Sequence, residues 1–407
     1  MAPSITETIS LRAPTVSVPF KTGTGHNKEN LIGYKYEKEA ELKGTDKLPP
    51  ASFPNYLPVW DNETERYPPL EPFEHYDHGK DADPAFPDLF PKGQAEVDEI
   101  TPFIGSEIHG VQLSQLSKAG KDQLALYVAQ RRVVGMAPIT HFPLPILHRG
   151  TRLITQCDES PAFRDQDFAS LPIQEAVDYA GYFGRHHIHQ TSGAPKGFPE
   201  IHLVFRGADD RTGATFLEQR TNTITWHSDV TFERQPPGTT FLYVLDGPST
   251  GGDTLFGDMV QAYKRLSPEF RKRLHGLRAV HSGVEQVNAS LNGGGIARRE
   301  PITSEHPIVR THPVTGEKAL YVNPQFTRYI VGYKKEESDF LLKFLYDHIA
   351  LSQDLQARIR WKAGTVVVWD NRLACHSAVF DWEDGQRRHI ARLTPQAEAP
   401  YETPFEG

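Results

Sequence analysis

Cysteine is nearly absent from this sequence: Cys157 and Cys375 are the only two among 407 residues. That excludes a disulfide scaffold and a four-cysteine zinc site, and it suits a reducing compartment. Long apolar runs are missing as well. Nothing approaches the about 18 consecutive apolar residues of a membrane span, and Met1 to Phe20 lacks the basic start and the apolar stretch of about 7 to 15 residues that mark a secretory leader. The expectation is a cytoplasmic protein with no membrane contact, in which the sequons at Asn62 and Asn288 carry little weight. Positive charge is scarce too. With a net charge of −8 and no large basic block, a general grip on nucleic acid is not expected. Any anion must be held locally, by a few placed cations.

What is present is an ordinary globular composition, 38% hydrophobic and 24% charged, in a chain long enough to bury a large core. Residues 1–95 differ from the rest. They are rich in Pro, Tyr and Phe without sustained periodicity, and Phe53, Tyr56, Trp60, Tyr67, Phe73 and Tyr76 fall close together. Chains that stay unfolded are poor in aromatics, so this extension is expected to be a partly ordered arm lying across the following domain, residues 96–400. From there the pattern changes. Ser117 can cap a helix carrying Leu124, Tyr127 and Val128, which runs into a strand at Val133 to Met136. Ile201 to Phe205, Thr239 to Leu245, Ala319 to Val322, Thr365 to Trp369 and His389 to Leu393 read as short strands bounded by turn residues. Two further helices are expected over Gly257 to Arg265 and Glu336 to Ala350, the second with Phe340, Leu341, Phe344, Leu345 and His348 on one face. The fold class is therefore mainly β with packed helices, around a double-stranded β-helix (jelly-roll) core.

The strongest local signal is Trp226-His227-Ser228-Asp229-Val230-Thr231-Phe232. In extended chain, residues two apart point the same way, so His227 and Asp229 project together. An imidazole and a carboxylate, completed by a second imidazole, form the metal-binding face that leaves positions open on Fe(II). Alone, a His-x-Asp is far more often part of an ordinary strand or loop. A candidate for the second imidazole is His376, which follows the apolar strand Val366 to Trp369 and the turn Asp370-Asn371-Arg372. Arg388 and Arg392 come next, on the segment Gln386 to Thr394 that reads as a returning strand, where their even spacing points both to one side.

Taken with Ile100 to Gly105, Phe183-Gly184, His187-Ile188-His189, Pro248 to Thr254, Val309 to Pro313 and Gln386-Arg387-Arg388, these blocks resemble the taurine (sulfonate) dioxygenase family of 2-oxoglutarate-dependent oxygenases. The resemblance spans about residues 98 to 396; the N-terminal extension looks like that of fungal members. It implies that His227, Asp229 and His376 bind Fe(II), with O₂ and 2-oxoglutarate as cosubstrates. It further implies that Arg388, helped by Thr254, holds the distal carboxylate of 2-oxoglutarate. Arg392, His189 and the backbone N–H of Val230 would grip a small anionic substrate, an alkanesulfonate, with Phe326 packed against it. The reaction implied is hydroxylation of the carbon beside the sulfonate, giving sulfite and an aldehyde together with succinate and CO₂, in a homo-oligomer.

Taurine-using relatives carry an amide shortly before the first iron-binding histidine, where this sequence has Thr223 beside Asn222. A relaxed preference among alkanesulfonates is expected from that change. The competing readings are an alkylsulfate-cleaving enzyme, a carboxylate-using one, and a zinc hydrolase with the same ligands. The last leaves the paired arginines unexplained and lacks His-Glu-x-x-His.

Overall fold

The structure is a computed structural model that describes residues 50–59, 66–137, 166–207, 225–292, 295–382 and 386–405. Its strands, in chain order, are β1 (Glu96–Glu99), β2 (Ser106–His109), β3 (Val133–Ala137), β4 (Ile201–Arg206), β5 (Thr239–Asp246), β6 (Thr254–Asp258), β7 (Arg278–Ser282), β8 (Thr303–Pro307), β9 (Val309–Thr311), β10 (Lys318–Leu320), β11 (Thr327–Ile330), β12 (Gln356–Ile359), β13 (Val366–Asp370), β14 (Ala374–Ala378) and β15 (Arg388–Leu393). The helices are α1 (Lys118–Arg131), α2 (Ile173–Gly181), α3 (Met259–Lys264), α4 (Pro268–Leu274), α5 (Val284–Asn292) and α6 (Lys335–Leu351). None of them is long and apolar enough to cross a membrane.

A large sheet runs β1-β2-β3-β13-β5-β15-β4, antiparallel except for the β2–β3 pair. A smaller one, β12-β6-β14, faces it. Strand alternation explains why the two stack. Along β5 and β13, Leu242, Val244, Val367 and Trp369 turn inward to meet Phe256, Ala357, Ile359 and Ala374 of the small sheet. The intervening Phe241, Tyr243, Val366 and Val368 turn outward onto Leu124 and Val128 of α1 and Ala176 and Ala180 of α2. Behind the small sheet, Cys375 packs with Met259 of α3 and Leu342 and Leu345 of α6. This is the double-stranded β-helix, with helices on the outside.

Several local expectations need adjustment. Gly257 and Asp258 close β6 rather than open a helix, because the Asp258 carboxylate accepts from the N–H groups of Val260 and Gln261 and so caps α3 from outside. On α6 the buried stripe is Leu342, Leu345 and Ile349, while Phe340 is 79% exposed. Apolar residues lie on two sides of that helix, and periodicity cannot choose between them. His376 follows the turn after β13, as expected, but not as a loop residue: Asn371 to Leu373 reverse the chain and His376 lies inside β14.

The described part of the N-terminal segment is packed against this core. Tyr56 is fully buried, its ring edge-on to Tyr243 at 5.9 Å. Val59 bridges Ala194, the Phe73 N–H donates to Gln235, and Asp77 pairs with Arg372. Tyr56→Ala is expected to cost about 3 kcal/mol, as buried aromatic truncations do, and to lower the melting temperature measurably. A melt indistinguishable from the parent's would show that this contact contributes nothing.

Candidate active site

His227 and His376 are cross-strand partners, each donating its N–H to the other's carbonyl at 2.9 and 2.7 Å. This register brings the two imidazoles to a centroid separation of 4.2 Å. The Thr225 carbonyl lies 2.7 Å from His227 Nδ1. A carbonyl only accepts, so Nδ1 carries the proton and the lone pair is left on Nε2. His227 Nε2 is 3.6 Å and His376 Nε2 3.7 Å from Asp229 Oδ1. Donor atoms about 2.0 to 2.2 Å from a shared metal stand roughly 3 to 4 Å apart, so the group has the spacing of a ligand set.

Asp229 is held in place through its backbone. Its N–H donates to the Asn371 side-chain oxygen at 2.6 Å, and the Asn371 amide returns a bond to the Asp229 carbonyl at 3.0 Å. Directly afterwards Val230 takes a φ of +41°, costly for a β-branched residue, as the chain bends away. Burial alone would raise the Asp229 carboxyl, but Arg392 and then His376 outweigh it and hold it well below the usual carboxylate range. Its Oδ2 is buried and has no hydrogen-bond partner among the described residues. A buried anionic oxygen left over beside two imidazole lone pairs suits a divalent cation.

The triad opens into a cavity of about 300 Å³ whose walls include all nine candidates read from the sequence: His189, His227, Asp229, Val230, Thr254, Phe326, His376, Arg388 and Arg392. Asn222 and Thr223 lie outside the described residues. At one end, Arg388 Nε donates to the Gly252 carbonyl at 3.1 Å. Gly252 has a φ of +70°, and a Cβ there would come within 3.2 Å of that same Nε, so both the turn and the close approach require glycine. Burial, then the like charge of Arg206, pushes the Arg388 guanidinium down to about 10. Thr254 Oγ1 accepts from Trp361 Nε1 at 3.0 Å, which leaves its own proton available to donate. Toward the other end, Arg392 donates to Asp229 Oδ1 at 2.6 Å and to His202. Phe326 stands edge-on to His227 at 6.0 Å.

Among the lining residues that the sequence reading missed are two cavity-facing ionisable side chains, His202 and Arg206. Register sets His202 opposite Arg392 and Arg206 opposite Arg388 on the neighbouring strand β4. The signal was there: in Ile201-His202-Leu203-Val204-Phe205-Arg206 the polar residues fall on one face of an otherwise apolar strand. Asp370 and Arg372, by contrast, belong to a buried ionic cluster away from the cavity. Arg372 pairs there with Asp370, Asp77 and Glu398. His75, Asp77 and Glu398 also have ligand spacing, but the guanidinium already supplies the positive charge.

The profile of the "Taurine catabolism dioxygenase TauD, TfdA family" matches residues 162–394. A Saccharomyces cerevisiae protein named alpha-ketoglutarate-dependent sulfonate dioxygenase is 41% identical over 99% of this chain and 95% of its own length. The chain belongs to the TauD, TfdA dioxygenase family. Another relative of this family member is a Pseudomonas putida alpha-ketoglutarate-dependent sulfate ester dioxygenase, 36% identical over 75% of this chain and 91% of its own. A crystal structure of a taurine dioxygenase from Burkholderia xenovorans superposes with a TM-score of 0.56 at 28% identity, covering 75% of this chain and 92% of that one. In this TauD, TfdA family dioxygenase the nine candidates read from the sequence line a single cavity.

Proposed function

We propose that this protein is an Fe(II)- and 2-oxoglutarate-dependent dioxygenase that hydroxylates the carbon next to the sulfonate of alkanesulfonates, releasing sulfite and an aldehyde. The observation that carries this reading is the placement of two buried arginines, Arg388 and Arg392, on the same face of β15 in the cavity that holds the triad. At about 3.3 Å per residue, four residues of strand separate them by about 13 Å, so they suit two anions better than one. One would be 2-oxoglutarate and the other the substrate. A zinc hydrolase has no use for two such sites.

His227, Asp229 and His376 would hold the metal, and Asn371 keeps Asp229 aimed at it. Fe(II), when bound, supplies the activation of O₂ that is coupled to oxidative decarboxylation of 2-oxoglutarate. The remaining tasks fall to the protein and concern placement. Arg388 offers a planar pair of N–H donors to the distal carboxylate, and the Thr254 hydroxyl donates beside it. Arg392, His189 and the Val230 N–H orient the sulfonate so that its adjacent carbon faces the triad, with Phe326 walling the same space. The proposed setting is the reducing cytosol, in keeping with Cys375 as a buried thiol.

Purified protein with added Fe(II), 2-oxoglutarate and O₂ is expected to form succinate only when a sulfonate is supplied, and to release sulfite from taurine, isethionate and longer alkanesulfonates without strong preference for taurine. The sulfate ester relative favours one second reading, that alkyl sulfates are cleaved in the same cavity. Turnover of alkyl sulfates or carboxylates with no sulfite from any sulfonate would sink the first reading and leave the metal site standing. A further expectation concerns Asn371: its alanine variant should bind Fe(II) or Co(II) about 10- to 100-fold more weakly, as losses of outer partners do, with all three ligands still present. Unchanged metal affinity in a titration would show that Asn371 serves the fold alone.

A further inference from the structure

His202 stands beside the anion grip just described, and no role has been given to it. It is the cross-strand partner of Arg392, lines the same cavity, and accepts a hydrogen bond from the Arg392 guanidinium on Nδ1. A guanidinium can only donate. The same Nη2 stands 2.5 Å from Nδ1 and 3.4 Å from Nε2, and the much closer contact makes Nδ1 the bare nitrogen and puts the ring's proton on Nε2. The same argument applies to His189, whose Nδ1 accepts from the backbone N–H groups of Thr191 and Ser192 at 3.2 and 3.0 Å. Its proton, too, is on Nε2. The two rings lie against each other with centroids 4.0 Å apart. Burial keeps both imidazoles far below their ordinary value, with Arg392 adding to the effect at His202 and His187 at His189. Two neutral N–H donors are thus fixed next to one guanidinium, whose Nε is buried without a partner among the described residues.

We infer that His202 is a further ligand of the substrate head group, so that Arg392, His189 and His202 together read an anion with three terminal oxygens, an alkanesulfonate or an alkyl sulfate, in preference to a carboxylate. The inference rests on the reading of Arg392 as the substrate-binding arginine. A sulfonate or sulfate presents an oxygen to each of the three groups. A carboxylate has two oxygens and leaves one buried donor unmatched, which is how a polar site rejects a near-isostere. The simpler role for His202 would be to prop Arg392 in place. These two roles use different ring nitrogens, and that separates them: asparagine can keep an acceptor near the Nδ1 position, whereas glutamine can reach the Nε2 position with an N–H.

The test is equilibrium binding of butanesulfonate, butyl sulfate and pentanoate to the full chain loaded with Fe(II) and 2-oxoglutarate in the absence of O₂. The measurement is made on the parent and on H202A, H202N and H202Q, each checked by thermal melting. The parent should prefer the two three-oxygen ligands. H202A should weaken both by about 10- to 100-fold, the range for a hydrogen bond to a charged group, with a much smaller effect on pentanoate and none on 2-oxoglutarate affinity. H202Q should recover most of that loss and H202N little of it. Recovery by H202N and not H202Q, or equal losses for all three ligands, would overturn the assignment in favour of a prop for Arg392. A parent that binds pentanoate and neither three-oxygen ligand overturns the sulfonate reading as well, and that failure shows in the parent whereas failure of the His202 assignment alone shows only in the variants. Sulfite from butanesulfonate against sulfate from butyl sulfate, measured once O₂ is admitted, distinguishes the two sources of the head group.

Discussion

His376→Ala is expected to abolish 2-oxoglutarate turnover, with a loss well beyond the about 100-fold that removal of an outer partner can produce. His376 and His227 fix each other's position through paired backbone hydrogen bonds, which the alanine variant retains, so the fold around the site should survive. What is lost is one of three donors, and with it both the affinity and the geometry of the cation. Asp229 would remain 2.6 Å from Arg392 and would satisfy its charge there instead of at the metal. His227→Ala should fail in the same manner. Asp229→Ala should be at least as damaging, because it also strips Arg392 of its buried carboxylate partner. Succinate formation, together with Co(II) absorption as a direct measure of the site, would check all three. Near-normal succinate output from a folded His376→Ala protein would remove His376 from the ligand set.

The strands that sequence reading located best are those whose local chemistry leaves no choice. Val366-Val367-Val368 is a β-branched run covered on both faces, outward by the helical layer and inward by the small sheet, and such a run reads as a buried strand whatever it pairs with. Its neighbours were not legible. That β13 lies between β3 and β5 is decided by contacts far apart in sequence, and β9, with three residues, carries too little pattern to register, whereas β10 was read about one residue late as Ala319 to Val322. The burial of α6 was misjudged because Phe340 and Phe344 lie on the side that stays exposed. Hydrophobicity told that a face existed without telling which one had a partner.

At the cavity, the expectation that His227 and Asp229 project together came from alternation in extended chain, and the two do meet, although only His227 bridges another strand and Asp229 lies in the turn that follows; the arrival of His376 was not legible in that way. That depends on an isolated bridge between a segment following β4 and β14, and only the likeness to a family linked the two ends beforehand. Asn371 shows the opposite case. It was read with its neighbours as a turn, and it is one, yet its side chain grips both backbone groups of Asp229. A turn residue and a second layer of a metal site look identical until the approaching strand is seen. His202 and Arg206 were visible as polar residues on an alternating strand, but their importance comes from facing Arg392 and Arg388 across one strand spacing, which is a matter of register.

Arg388→Ala is expected to raise the KM for 2-oxoglutarate by about 30-fold to more than 1,000-fold, since truncating one partner of a buried charge pair typically costs about 2 to 5 kcal/mol. Thr254→Ala should cost less, about 1.5 to 3 kcal/mol, because it removes a single hydrogen bond from a neutral group to the carboxylate and leaves the ion pair in place. The order follows from what each group is doing in the cavity. Arg388 is buried, takes only a backbone carbonyl on its Nε, and has no carboxylate within ion-pairing distance among the described residues. Arg206 faces it from β4, so an anion between them would relieve a like-charge contact as well as fill the guanidinium's donors. Thr254 already accepts from Trp361 and contributes a single O–H. Arg388→Lys should recover part of the affinity, as a point charge without the planar fork. The KM for the sulfonate should stay nearly constant in all three variants, because Arg392 holds that anion at the far end of the strand face. If Thr254→Ala proved the more damaging of two correctly folded variants, or if Arg388→Ala raised the sulfonate KM and left that for 2-oxoglutarate alone, the distal carboxylate would not lie against Arg388, and the assignment of the two arginines to the two anions would have to be reversed.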